Sequence, residues 1–256
     1  MTTHLGGFAE SIDAAGVAAN LAALVDDRLF TQGDDLRVPS LNQVTMIAGG
    51  VSQTTTIGAR LTSPTLDARN RLVVEPVSGG NDGDVEPASP IPALDFRTNP
   101  LTLGVDEILQ VTIDSNTSAV ALQWVLLWFS DGPIQPVTGG NMFTARLTGT
   151  TTVVVDVWTS VNLSLTDNLQ PGRYQIVGMR ARSTTGVACR LVNREGGFWR
   201  DGCIATDDAQ NIGEQWRYGR PGVMAEFPFT QIPAVEFLCA TADTAQTVLW
   251  DLVKIG

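Results

Sequence analysis

The chain is short of almost everything that catalysis and nucleic-acid binding require. Its 256 residues hold one histidine, His4, and one lysine, Lys254. A lone histidine near the start excludes a Ser-His-Asp or Cys-His mechanism run from a buried imidazole, and a histidine-rich zinc site. Sixteen basic residues against 27 acidic ones give a net charge of −11, so no basic surface is present to neutralise phosphate. Charged residues make up 17% of the chain and hydrophobic residues 43%. An average globular domain carries roughly 25% charged residues, and disorder needs high charge with low hydrophobicity. The chain is therefore read as folded.

The motifs that announce chemistry are missing too. No GxSxG elbow, no Gly-x-x-x-x-Gly-Lys-Ser/Thr loop and no GxGxxG after a strand occurs. Three cysteines, Cys189, Cys203 and Cys239, form no CxxC, and their odd number argues against a disulfide framework. Cys189 and Cys239 lie in apolar strand patterns and read as small core residues. Cys203, beside Gly202, reads as a loop thiol open to solvent. No run of about 18 apolar residues occurs, and Glu10 and Asp13 interrupt the N-terminal apolar stretch. The expectation is a soluble protein made without a cleaved secretion signal.

What is present divides into one helical stretch and a long β texture. Residues 8–30 are rich in alanine, with Ile12, Val17, Leu21, Leu24, Val25 and Leu29 at three- and four-residue spacings, so a short N-terminal helix is predicted within a segment 1–33. Beyond Gly33, short runs of Val, Ile, Thr and aromatics alternate with Gly, Pro, Asn and Asp clusters, an all-β signature. Strands are predicted near 42–48, 53–62, 70–76, 101–104, 107–114 and 119–130, with one short edge strand at 93–97 inside the proline-rich stretch 77–100. A second set follows near 142–148, 151–158, 160–166, 173–183, 186–193, 222–228, 233–240 and 245–254. Between its fifth and sixth members lies an excursion, 194–221, which suits a jelly roll better than an up-and-down barrel. The stretch 131–141 carries prolines and glycines and marks a boundary, giving expected β-domains at 34–133 and 134–256.

Individual strands say more. In QWVLLWF, Trp124, Leu126 and Trp128 point one way and Val125, Leu127 and Phe129 the other, so both faces should be covered. In AVEFLCA, Val235, Phe237 and Cys239 alternate with Glu236, which is expected on the solvent side. Arg180 and Arg182 share a strand face and read as solvated or as partners for acids of a neighbouring copy.

Candidate chemistry is thin. Glu75, Glu107, Glu226 and Glu236 are acids of the kind a glycosidase pairs across a cleft, but no spacing selects two of them. Asp82 and Asp84, with Asn81 and Glu86, offer a weak calcium site in a loop that departs from the EF-hand pattern; no metal site, cofactor or catalytic set is otherwise assigned. Trp199, Arg200, Trp216, Arg217 and Tyr218 lie together in the long excursion. An aromatic beside arginines suits a contact between proteins, or a sugar platform built from Trp199, Trp216 and Tyr218.

The segments TTTIGARLTSPTLDARNRLVVEP, WVLLWFSDGPIQPV, LQPGRYQIVGMRARS and GVMAEFPFTQIPAVEFLCATADTAQTVLWDLV give nearly the whole chain a strand texture. It resembles the double jelly-roll major capsid proteins of tailless icosahedral bacteriophages. The resemblance implies an all-β fold of two jelly-roll barrels after a short N-terminal helix. It also implies trimers forming pseudo-hexagonal capsomers of a shell, and no catalytic residue. Partners would be further copies and other virion proteins; an internal membrane is compatible with this, and the net charge argues against direct genome contact. The protein would reside in the virion after assembly in the host cytoplasm. The competing reading is a carbohydrate-binding or receptor-binding β-sandwich.

Overall fold

The computed structural model describes residues 2–13, 18–51, 57–69, 72–74, 93–115, 120–133, 137, 140–192, 199–206, 217–218 and 222–255. These form two compact units. One is Leu5–Pro133; the other joins Ile134–Gly256 to Met1–His4. The first is called the N-terminal unit below and the second the C-terminal unit.

The strands of the N-terminal unit are β1 (Thr3–Ile12), β2 (Ala19–Asn20), β3 (Thr31–Gln32), β4 (Asp35–Arg37), β5 (Gln43–Val51), β6 (Ile57–Thr62), β7 (Leu72–Val74), β8 (Ala93–Asp95), β9 (Leu101–Thr102), β10 (Ile108–Ser115) and β11 (Ala121–Ser130). One sheet runs β1-β11-β5-β8 with β9 also on β5; the other runs β3-β4-β10-β6-β7 with β2 also on β10. Treating β2–β4 as one broken strand and β8–β9 as another, the unit has eight strands in sequence. Its sheets then read first-eighth-third-sixth and second-seventh-fourth-fifth. That interleaving is the jelly-roll order, two Greek keys wrapped so that sequence neighbours, apart from the fourth and fifth strands, fall in opposite sheets.

The C-terminal unit repeats it. Its strands are β12 (Met142–Gly149), β13 (Thr159–Val161), β14 (Leu163–Leu165), β15 (Arg173–Ser183), β16 (Gly186–Val192), β17 (Gly202–Thr206), β18 (Arg217–Tyr218), β19 (Ala225–Pro228), β20 (Ala234–Cys239) and β21 (Gln246–Lys254). β12 pairs β21, β21 pairs β15, and β15 pairs β19; β13 pairs β20, β20 pairs β16, and β16 pairs β17. With β13 and β14 as one broken strand, the same two orders appear. The short segment 159–165 supplies both end strands of the main path, β13 on β20 and β14 on β12, so one continuous stretch of chain joins the two ends. Between the two faces packs a core that includes Tyr174, Phe227, Phe237, Trp250, Ile176 and Leu252.

The two-faced strand behaves as its sequence requires: all ten residues of β11 are buried. Its Trp124 is paired in register with Gly50, where a Cβ would come within 2.6 Å of the indole Cζ2. Glycine at that site leaves the ring a place to lie.

Three expectations are corrected. The helix over 8–30 does not form. Thr3–Ile12 is a strand, β1, and the described residues that follow are extended or bridged. Phe8 bridges Ala23, the Ala9 N–H donates to the Ala22 carbonyl, and the Leu24 N–H donates to the Gly7 carbonyl. The backbone bonds an isolated helix would make are thus met by a chain doubling back on itself, and tertiary pairing overrides alanine propensity. Nor is 151–158 a strand, contributing only isolated bridges at Val153 and Val155. Its place in the count is taken by β17, inside the excursion, which pairs antiparallel to β16 and parallel to β15. Cys203 therefore lies fully buried on β17 rather than in an open loop.

Among the described residues the only helix is α1 (Pro64–Arg69). Ser63 caps it, accepting from the Leu66 N–H through its hydroxyl, and proline stands at the first helical position, where no N–H is needed. No helix among these residues is long and apolar enough to cross a membrane.

Candidate functional site: a buried charge cluster in the C-terminal unit

Strand alternation sets this cluster. On β16, Cys189 and Leu191 turn into the core, which sends Arg190 to the other face. On β20, Val235 and Phe237 turn inward and Glu236 outward, and register places Arg190 directly opposite Glu236. The outward face is covered. Glu236 is 8% exposed and Arg190 1%, a correction to the solvated glutamate expected from sequence.

Burial is tolerated because the charges are paired and hydrogen-bonded. The Arg190 Nε donates to Glu236 Oε2 at 2.7 Å, and Arg200 Nη1 donates to Oε1 and Oε2 at 3.1 and 3.0 Å. The Arg190 guanidinium lies over the Trp158 ring, 4.2 Å from its centre. Arg200 stands just before β17, and its backbone N–H donates to His4 Nδ1 at 3.1 Å. Accepting that bond requires an unprotonated Nδ1, which places the ring proton on Nε2. The same imidazole meets Trp199 edge-on at 5.4 Å.

The five predicted interaction residues separate. Trp199 is half-buried against His4, and Arg200 is buried and committed to Glu236, so neither stands free on a surface. Arg217 and Tyr218 form β18, opposite Ala181 and Arg180 of β15. Trp216 lies outside the described residues. Arg180 pairs with Asp251 within its own unit.

The acids are also dispersed. Glu107 accepts from the Thr65 N–H, the Thr65 hydroxyl and the Ser63 hydroxyl beside α1. Partial burial opposes its charge, but these bonds and one from the Gly104 backbone outweigh it and hold the carboxyl below its usual value. Glu226 accepts from Gln175 on the β15–β19 sheet, whereas Glu236 lies on the other. Glu75, Asn81, Asp82, Asp84 and Glu86 lie outside the described residues. Among those described, no group of three or more His, Cys, Asp or Glu is placed to hold a metal ion.

The thiols are shut in. Cys189 and Cys203 face each other across β16–β17, and burial pushes both well above the ordinary thiol value. Burial also raises Cys239, to about 12, against a bond from Ser183 that favours the thiolate. Since the thiolate is the reactive form, folded protein should give almost no colour with a thiol reagent at pH 8. In denaturant all three cysteines should react. A thiol titrating rapidly before unfolding would show that the strand carrying it, β16, β17 or β20, opens.

No protein-family model and no curated protein matches the chain. Among solved structures, the major capsid protein P2 from bacteriophage PM2 aligns with 100% of this chain and 98% of its own, at 14% identity and a TM-score of 0.26. The jelly-roll order of the two units stands on the strand pairings described above.

Proposed function

We propose that the chain is a structural virion protein, a double jelly-roll major capsid protein of a tailless icosahedral bacteriophage. Copies associate as trimers, each a pseudo-hexagonal capsomer of the shell, and the protein carries no catalytic activity. The observation that carries the reading is the repetition: one chain lays down the same eight-strand order twice in succession. A jelly roll alone also serves lectins and cupins. Two in tandem, without an assembled catalytic or metal set among the described residues, fit a building block better than a sugar-binding module.

Composition supports the same reading. With charged residues at 17% of the chain, few ions need desolvating when surfaces are buried between copies. The net charge of −11 keeps the chain off nucleic acid, so another layer stands between shell and genome.

Sedimentation and negative-stain microscopy test it. The purified protein should sediment as a trimer or larger body and show threefold particles or shells. A strict monomer at high concentration overturns it.

A further inference from the structure

We propose that copies of this chain join through two unlike surfaces, an apolar and cationic rim on the C-terminal unit of one copy and an apolar and anionic patch on the N-terminal unit of the next. This rests on the self-assembly argued above and names the contact that would make it.

The rim gathers where four neighbouring strands end. Register brings Met142 of β12 beside Val253, Lys254 of β21 beside Tyr174, and Arg173 of β15 beside Pro228. Ile255 continues β21 and donates its N–H to the Arg173 carbonyl; Phe229 continues β19 and donates to Gly172. Phe143 meets Tyr174 edge-on, 5.9 Å between ring centres. Met142, Phe143, Phe229, Ile232 and Ile255 are all exposed, Met142 by 64%. One end of the barrel therefore presents a row of large apolar side chains, which monomers rarely leave in water. Beside them stand Arg173, 4.0 Å from Glu226, and Lys254, the only lysine of the chain, which leaves the rim an excess of positive charge.

The patch surrounds the β3–β4 hairpin. Arg37 of β4 is in register with Ile108, its guanidinium lies 5.3 Å from the centre of the Phe30 ring, and its Nη1 donates to the Asp106 carbonyl. Phe30, Val105 and Ile108 are exposed around it. Asp106 stands beside them, Asp34 and Asp35 lie at the hairpin, and Asp27, 3.6 Å from Arg28 with its side chain 59% exposed, precedes Phe30. Acids outnumber Arg28 and Arg37 there.

The occupant follows from charge. An anionic bilayer would also suit such a rim, but the chain itself carries a matching surface, with Phe30, Val105 and Ile108 exposed among acids on the N-terminal unit. A second copy offers apolar area and acids at contact distance. Because the surfaces differ, the contact is heterologous, and heterologous contacts add copies in one direction until a ring closes.

A charge exchange in the full-length protein tests this. Lys254→Glu and Asp27→Lys should each weaken association at least tenfold by sedimentation at moderate salt, with folding unchanged by circular dichroism. Lys254→Glu combined with Asp27→Lys should recover most of the loss, and Phe229→Ser should weaken association independently of salt. Wild-type assembly unaffected by any of these variants overturns the inference and leaves the capsid reading standing. Wild type that never associates overturns both. Wild type that binds vesicles of anionic phospholipid, with binding lost in Lys254→Glu and association intact, shows the rim to be a membrane surface and overturns the inference.

Discussion

Glu236→Gln is expected to destabilise the C-terminal unit by about 3–5 kcal/mol, the range for breaking a buried ion pair by removing one partner. At a urea dependence of roughly 2 kcal/mol/M, the unfolding midpoint falls by about 2 M. The amide keeps the shape of the side chain, but both carboxylate oxygens accept from arginines and the amide offers one oxygen, so the loss combines charge with at least one hydrogen bond. What is lost is an anion that accepts from both Arg190 and Arg200, whose side chains are 1% and 10% exposed. Two guanidiniums out of water without their counter-charge are the costly state. Because the pair is shielded from solvent, the penalty should change little between low and high salt. A loss below about 1 kcal/mol would instead place the pair in the class of surface salt bridges, with water reaching the carboxylate.

This residue also marks how far the sequence could be read. Alternation correctly set Glu236 on the face opposite Val235 and Phe237, since the two-residue period of a strand is local. Whether that face is covered depends on Arg200 and Trp158, far away in sequence, and no local signal carries it. In β11 both faces are apolar, and there burial could be read directly. The jelly-roll order lay beyond any local pattern, because its pairings join distant positions; Thr144 bonds Asp251 across 107 residues. β17 escaped notice because GCIAT is short and sits among glycines and charges, where turn chemistry dominates. The charge cluster was missed for the same reason: Arg200 reads as part of a loop until β17 fixes it beside β16. One clue was available in the single histidine, which the structure places against that loop.

The failed helix leads to the second large effect. Gly7 sits inside β1 with φ of 152°, and a Cβ added there would lie 2.2 Å from the Val125 carbonyl oxygen of β11 and 2.9 Å from the Leu126 Cα. Both obstacles are backbone in a buried strand, so no rotamer change relieves them. Gly7→Ala is therefore expected to cost the N-terminal unit about 3–5 kcal/mol, combining strained backbone with forced displacement of a packed strand. Gly33→Ala separates the two causes. Gly33 also has a positive φ, 63°, but nothing lies within 4 Å of its missing Cβ, so only the backbone preference is lost, about 1 kcal/mol. Had residues 8–30 been helical, Gly7 would have stood just before the helix and not against β11, and the alanine would have met no such obstacle. Chemical denaturation of both variants thus separates the steric obstacle from the backbone preference by the size of the loss. A Gly7→Ala protein as stable as wild type would mean that β1 does not lie against β11.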